Sequence, residues 1–176
     1  MFSKETRNNA NSTVIEHFQN LLPEVYDKNL YTFLDDDLKE VDWLTYSSLY
    51  DDARRIAAQL QKQYQVNDRV ALLFPAGLDF IRAFFGCIFA GVIAVPIVPP
   101  RSRKQAHWQN VAGIILDADV SAVLSNTSHC DRVTELLLFQ SSLSHLQLHD
   151  IEHVDPSADD WTLPDVTAQN LVFLQY

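Results

Sequence analysis

An α/β fold, with a mostly parallel sheet and flanking helices, is predicted by three features of this chain. The first is the segment Arg69–Arg101, RVALLFPAGLDFIRAFFGCIFAGVIAVPIVPPR. It reads as a buried strand, a Pro-Ala-Gly turn, an almost wholly apolar helix, a Gly stop and a second buried strand that runs into a Pro-rich basic loop. Strand, helix and parallel strand make one βαβ unit, joined by a right-handed crossover. The second feature is that helical and extended segments go on alternating after it. The third is an apolar fraction of 47%, enough for a globular core.

The elements follow in order. Residues 1–12 are polar and read as a loose tail. Thr13 and Glu16 have the spacing of a capping box, and a helix continues through Val14, Ile15, Phe18, Leu21 and Leu22 to Pro23. Leu30–Leu34 and Trp43–Tyr46 read as two strands joined through the acidic turn Asp35–Asp37. From about Ser47 to Gln63 an amphipathic helix puts Leu49, Ala53, Ile56, Ala57 and Leu60 on one face. Val70–Phe74 and Val92–Val98 are short apolar runs without alternation, the pattern of strands covered on both faces. Between them Phe80, Ile81, Phe84, Phe85, Ile88 and Phe89 recur at helical spacing. Ala83, Gly86, Cys87 and Ala90 fill the other side, and Gly91 terminates the helix. A helix over Gln105–Asp117 carries Trp108, Val111, Ile114 and Ile115; a strand at Val120–Ser125, a helix at Asp131–Phe139 and a short strand at Leu146–Leu148 follow. Residues 155–170 are polar and loop-like, and Leu171–Tyr176 reads as a buried apolar strand.

Several function classes are disfavoured. From Ala83 to Val98 no residue is charged, but a membrane span needs about 20 such residues, and Gly91 and Pro96 interrupt the run. A net charge of -10 argues against nucleic acid, which calls for a basic patch. Of two cysteines, Cys87 falls in the buried helix, so a disulfide framework is not expected and a reducing, cytoplasmic setting is. The first twelve residues have no apolar core of a secretory signal. His145, His149 and His153 recur every four residues, yet they fall on a strand-like alternation and an acidic loop, so no metal site is expected. No Gly-x-Ser-x-Gly elbow supports a serine hydrolase, and His129–Cys130 lacks an orienting partner for a thiol nucleophile.

YTFLDDD (Tyr31–Asp37), LTYSSLYDDARRIAAQLQ (Leu44–Gln61), the Arg69–Pro100 run and LVFLQY (Leu171–Tyr176) together resemble the fatty acyl-AMP ligases, a branch of the adenylate-forming superfamily. The resemblance covers residues 13–176, and implies an incomplete N-terminal AMP-binding-type α/β domain. In that branch, Leu-Gln-Tyr is followed directly by a Lys-bearing phosphate loop. The implied chemistry is attack of a fatty acid carboxylate on the α-phosphate of ATP with Mg²⁺, then transfer of the acyl group to the phosphopantetheine thiol of an acyl carrier protein. Neither cofactor is expected on the present residues. The glycines Gly77, Gly86, Gly91 and Gly113 are scattered without phosphate-loop spacing, and no catalytic residue is assigned. On this reading the 176 residues alone catalyse no ATP–pyrophosphate exchange. Alternatives are a segment of a fatty acyl-CoA ligase and a non-catalytic α/β interaction module.

Candidate binding residues divide in two. Phe74, Pro75 and Gly77 follow the first strand at its ligand-side end and, with Phe84, Pro99, Pro100 and Arg101, are candidates for an acceptor or acyl channel. A tight turn accounts for the first three equally well. The Phe80, Phe84 and Phe85 stripe reads either as acyl-tunnel lining or as plain core. Arg101, Arg103 and Lys104 gather positive charge in an acidic chain and are candidates for carrier-protein contact, against an ordinary solvated basic loop.

Overall fold

The computed structural model describes residues 12–99, 102, 104–155 and 157–176. The polar tail before Ser12 and the candidates Pro100, Arg101 and Arg103 lie outside them. Six strands and five α-helices are described: α1 Val14–Val25, β1 Asn29–Leu34, β2 Glu40–Thr45, α2 Tyr46–Gln61, β3 Arg69–Leu72, α3 Leu78–Ala90, β4 Ile93–Pro96, α4 Gln105–Asp117, β5 Ala122–Ser125, α5 Thr127–Phe139 and β6 Gln147–Asp150. β1 and β2 pair antiparallel as a separate hairpin. The other four form a parallel sheet in the order β4-β3-β5-β6. The predicted fold class is the observed one.

Strand periodicity divides the core. Val70 and Leu72 of β3 face one way, with Ala94 of β4 and Leu124 of β5, and pack against α1, α2 and α3. Ala71 and Leu73 face the other way, with Val95 and Val123, and pack against α4 and α5. All these strand residues are essentially inaccessible, which is why their sequence shows no polar alternation. α2 and α3 approach so closely that a Cβ on Gly86 would overlap the Ile56 side chain. Gly91 closes α3 with φ 78°, its N–H reaching the Ile88 carbonyl at 3.1 Å, and a Cβ there would sit tightly, 3.0–3.3 Å from Pro164, Val66 and Val166.

Boundaries differ from the sequence reading for identifiable reasons. Tyr46 belongs to α2, because Thr45 makes a capping box with Ser48. Pro23 does not end α1; it costs one intrahelical bond in the last turn, where the helix stops two residues later. α5 begins at Thr127 instead of Asp131: its polar first turn looks like a loop in sequence, but His129 and Cys130 donate their N–H groups to the Asn126 carbonyl. The buried strand expected at Leu171–Tyr176 is a correction. This segment meets β4 at a single parallel bridge, Ala94 with Phe173, through two backbone hydrogen bonds of 3.0 and 2.9 Å. One bridge does not bury a strand, and Leu171, Phe173 and Tyr176 are about half exposed.

Residues 157–170 are tied down despite their polar sequence. The Trp161 indole N–H donates to the Phe89 carbonyl at 2.8 Å. Arg54 lies against the rings of both Tyr50 and Trp161 and pairs with Asp159 at 3.2 Å. The segment thereby crosses α2 and α3 and leads the chain from β6 to the free edge of β4. No helix among the described residues is long and apolar enough to cross a membrane.

Candidate functional site

The carboxyl ends of β3 and β4 open on a cleft of about 1020 Å³. Open α/β sheets bind ligands in this position because the loops there diverge around the strand ends. Buried Leu73 and Phe74 follow β3, and the Pro75-Ala76-Gly77 turn carries the chain into α3. Gly77 has φ 156°, a conformation nearly restricted to glycine, and a Cβ there would meet nothing within 4 Å. Backbone geometry, then, is what requires glycine at this position.

Five predicted candidates converge on this cleft: Phe74, Pro75, Gly77, Phe84 and Pro99. Phe84 is the centre of its apolar wall, with ring centroids 5.9 Å from Phe80, 6.3 Å from Phe85 and 5.8 Å from Phe173. The Phe80, Phe84 and Phe85 stripe is therefore both at once: it packs on the core and presents half-buried faces to the cleft. Lys104, the remaining described candidate, is exposed at the start of α4 and not in the cleft. Its loop is anchored by the Trp108 indole, which donates to the Ser102 carbonyl at 3.2 Å.

Sequence reasoning missed the polar part of the site. His129 and Arg132, from the first turns of α5, line the cleft, as do Phe173 and Tyr176. The one usable signal was the His-x-x-Arg spacing, which puts both on one face of a helix, and it was hidden because α5 was expected to begin later. A hydrogen-bonded chain leads to His129. Arg82 pairs with Asp52 at 3.0 Å and Asp79 at 2.9 Å. Asp79 accepts from Asn126 Nδ2 at 2.8 Å, and Ser128 Oγ lies 3.0 Å from both Asn126 Oδ1 and His129 Nδ1. At the other side Tyr176 donates its hydroxyl to Asp117 at 2.7 Å, which raises the phenol pKa.

The neighbouring titratable groups serve the fold. Burial, then the carboxylates of Asp150, Asp131 and Glu152, push the Cys130 thiol up to about 11, so it stays protonated near neutral pH and is a poor nucleophile. His149 lies 2.8 Å from the Tyr64 hydroxyl, and burial lowers its pKa. Burial alone would raise Asp150; hydrogen bonds from Thr127, the Glu152 N–H and His153 outweigh it and hold the carboxyl below its usual range.

The sequence profile of AMP-binding enzymes matches residues 24–176. The chain belongs to this family. Among similar family members is a medium-chain-fatty-acid–[acyl-carrier-protein] ligase, JamA, of Moorena producens, 37% identical over 85% of this chain and 26% of its own length. A long-chain-fatty-acid–AMP ligase of Mycolicibacterium smegmatis is 29% identical over 94% of this chain and 27% of its own. The crystal structure of the fatty acyl-adenylate ligase from L. pneumophila in complex with acyl adenylate and pyrophosphate aligns with a TM-score of 0.77 and 29% identity, over 92% of this chain and 27% of that one. The chain thus spans about a quarter of the length of the curated relatives it matches.

Proposed function

We propose that this chain forms the first part of the large domain of an ATP-dependent fatty acyl-AMP ligase. The enzyme joins a fatty acid carboxylate to the α-phosphate of ATP, releasing pyrophosphate, and passes the acyl group to the pantetheine thiol of an acyl carrier protein in the cytoplasm. The observation that carries this reading is the cleft at the ends of β3 and β4, with its aromatic wall and polar mouth, in a chain 37% identical to an acyl-carrier-protein ligase. Phe84, with Phe74, Pro75, Gly77 and Pro99, offers a surface for the acyl or pantetheine chain. Burying such apolar area contributes about 25 cal/mol per Å². Arg132 supplies donors at the mouth, where His129 adds an imidazole, and Lys104, with Arg101 and Arg103, offers positive charge toward an acidic carrier.

ATP would bring Mg²⁺ with it, and none of the residues described here is assigned to hold either. Residues 13–176 are read as one incomplete domain. The test is to supply the product of the complete reading frame with ATP, a labelled fatty acid, and either holo-carrier protein or coenzyme A. Thioester on the carrier, preceded by acyl-adenylate, is the expected result. Thioester on coenzyme A alone makes it a fatty acyl-CoA ligase, and no acyl-adenylate leaves the chain an α/β interaction module.

A further inference from the structure

The hydrogen bonds leading to His129 fix which of its ring nitrogens carries the proton. A carboxylate only accepts, so Asn126 must turn its amide nitrogen toward Asp79, 2.8 Å away. Asn126 Oδ1 then faces Ser128, whose hydroxyl donates to it at 3.0 Å. With that proton committed, Ser128 Oγ meets His129 Nδ1 as an acceptor, also at 3.0 Å. Nδ1 is therefore the protonated nitrogen, and in the neutral ring Nε2 keeps its lone pair. Asn126 is only 6% exposed, so the middle of the chain is held firmly. His129 itself is half-buried on the cleft wall, and no Nε2 hydrogen bond is found among the described residues.

We infer that His129 Nε2 is the proton acceptor for a thiol entering this cleft. The inference rests on the reading as an acyl-adenylate-forming ligase and assigns a residue to its second step. A thiol of pKa about 8.5 is mostly protonated at neutral pH, and the thiolate is the nucleophile. The S–H proton passes to Nε2. The sulfur electron pair forms the C–S bond to the acyl carbonyl of the acyl-adenylate, the C–O bond to phosphate breaks, and AMP leaves with that electron pair. The imidazolium then releases its proton to water, and Ser128, Asn126 and Asp79 hold the ring in the productive orientation throughout. Ser128 and Asn126 are thus positioning residues. Arg132 shares the mouth, and Asp131 and Glu135 lie on the same helix surface.

Two measurements test this. Long-range ¹H–¹⁵N spectra of the 176-residue chain read the tautomer directly, and pantetheine is the probe. The expected spectrum has His129 in the Nδ1–H form, with Nε2 shifted by pantetheine, and Ser128→Ala moves the ring toward the other tautomer. An Nε2–H form in the unaltered chain, or a His129 ring unmoved by pantetheine, overturns the proposal. In the complete protein, single-turnover transfer from preformed acyl-adenylate to pantetheine should fall ~100-fold in His129→Gln, the scale of general-base catalysis, and by less in Ser128→Ala. Equal transfer rates in His129→Gln and the unaltered protein overturn it as well. Failure of the unaltered protein to form acyl-adenylate, measured before thiol is added, instead overturns the underlying reading.

Discussion

At Gly86 a single hydrogen decides how α2 and α3 meet. The Ile56 side chain occupies the space a Cβ would take, so Gly86→Ala should lower stability by about 1–3 kcal/mol, read from the urea midpoint. His149 makes stability depend on pH. Burial lowers its folded pKa, so the ring is neutral in the fold, whereas the unfolded ring takes up a proton below about 6.5. Its contribution is present in full above that pH and is lost as pH falls below it. His149→Gln, able to accept from Tyr64, should flatten the fall in urea midpoint between neutral pH and pH 5; an unchanged slope would exclude the assignment. Cys130, with its thiol near 11, should react slowly with iodoacetamide at neutral pH and faster as pH rises, and buried Cys87 should not react until the chain unfolds.

Among the elements, what burial and periodicity control was legible in the sequence. The capping box at Thr13 and the α4 limits were read directly, and so was the βαβ unit from Arg69 onward, because each depends on neighbouring residues or on a repeating apolar face. Long-range pairing was not legible. Nothing in LVFLQY says that it meets β4 at one residue pair, and nothing in the polar stretch 155–170 says that Trp161 will reach the Phe89 carbonyl. The site divides the same way. Its apolar wall follows from the strand ends and the α3 stripe, whereas His129 and Arg132 enter only because α5 begins at Thr127 and packs beside β5. Trp161→Phe keeps the ring and removes the hydrogen bond; a loss of about 1 kcal/mol in urea unfolding would show that this contact fastens the segment across α2 and α3.

For the whole molecule, the arrangement is a two-faced core with its cleft at one edge of the sheet. α1, α2 and α3 with the 157–170 segment close one face, and α4 and α5 close the other. The cleft lies where β3, β4 and the incoming Phe173–Tyr176 segment meet, so the framework positions both the aromatic wall and the polar mouth. The aromatic wall and polar mouth are the part of the molecule on which the proposed fatty acyl-AMP ligase activity rests. Fatty-acid-dependent ATP–pyrophosphate exchange by the product of the complete reading frame tests that account most directly, with the 176-residue chain run beside it. The account predicts exchange that rises with added fatty acid in the complete protein and none in the 176 residues alone. Exchange that fatty acids leave unmoved, or exchange by the 176 residues themselves, would contradict it.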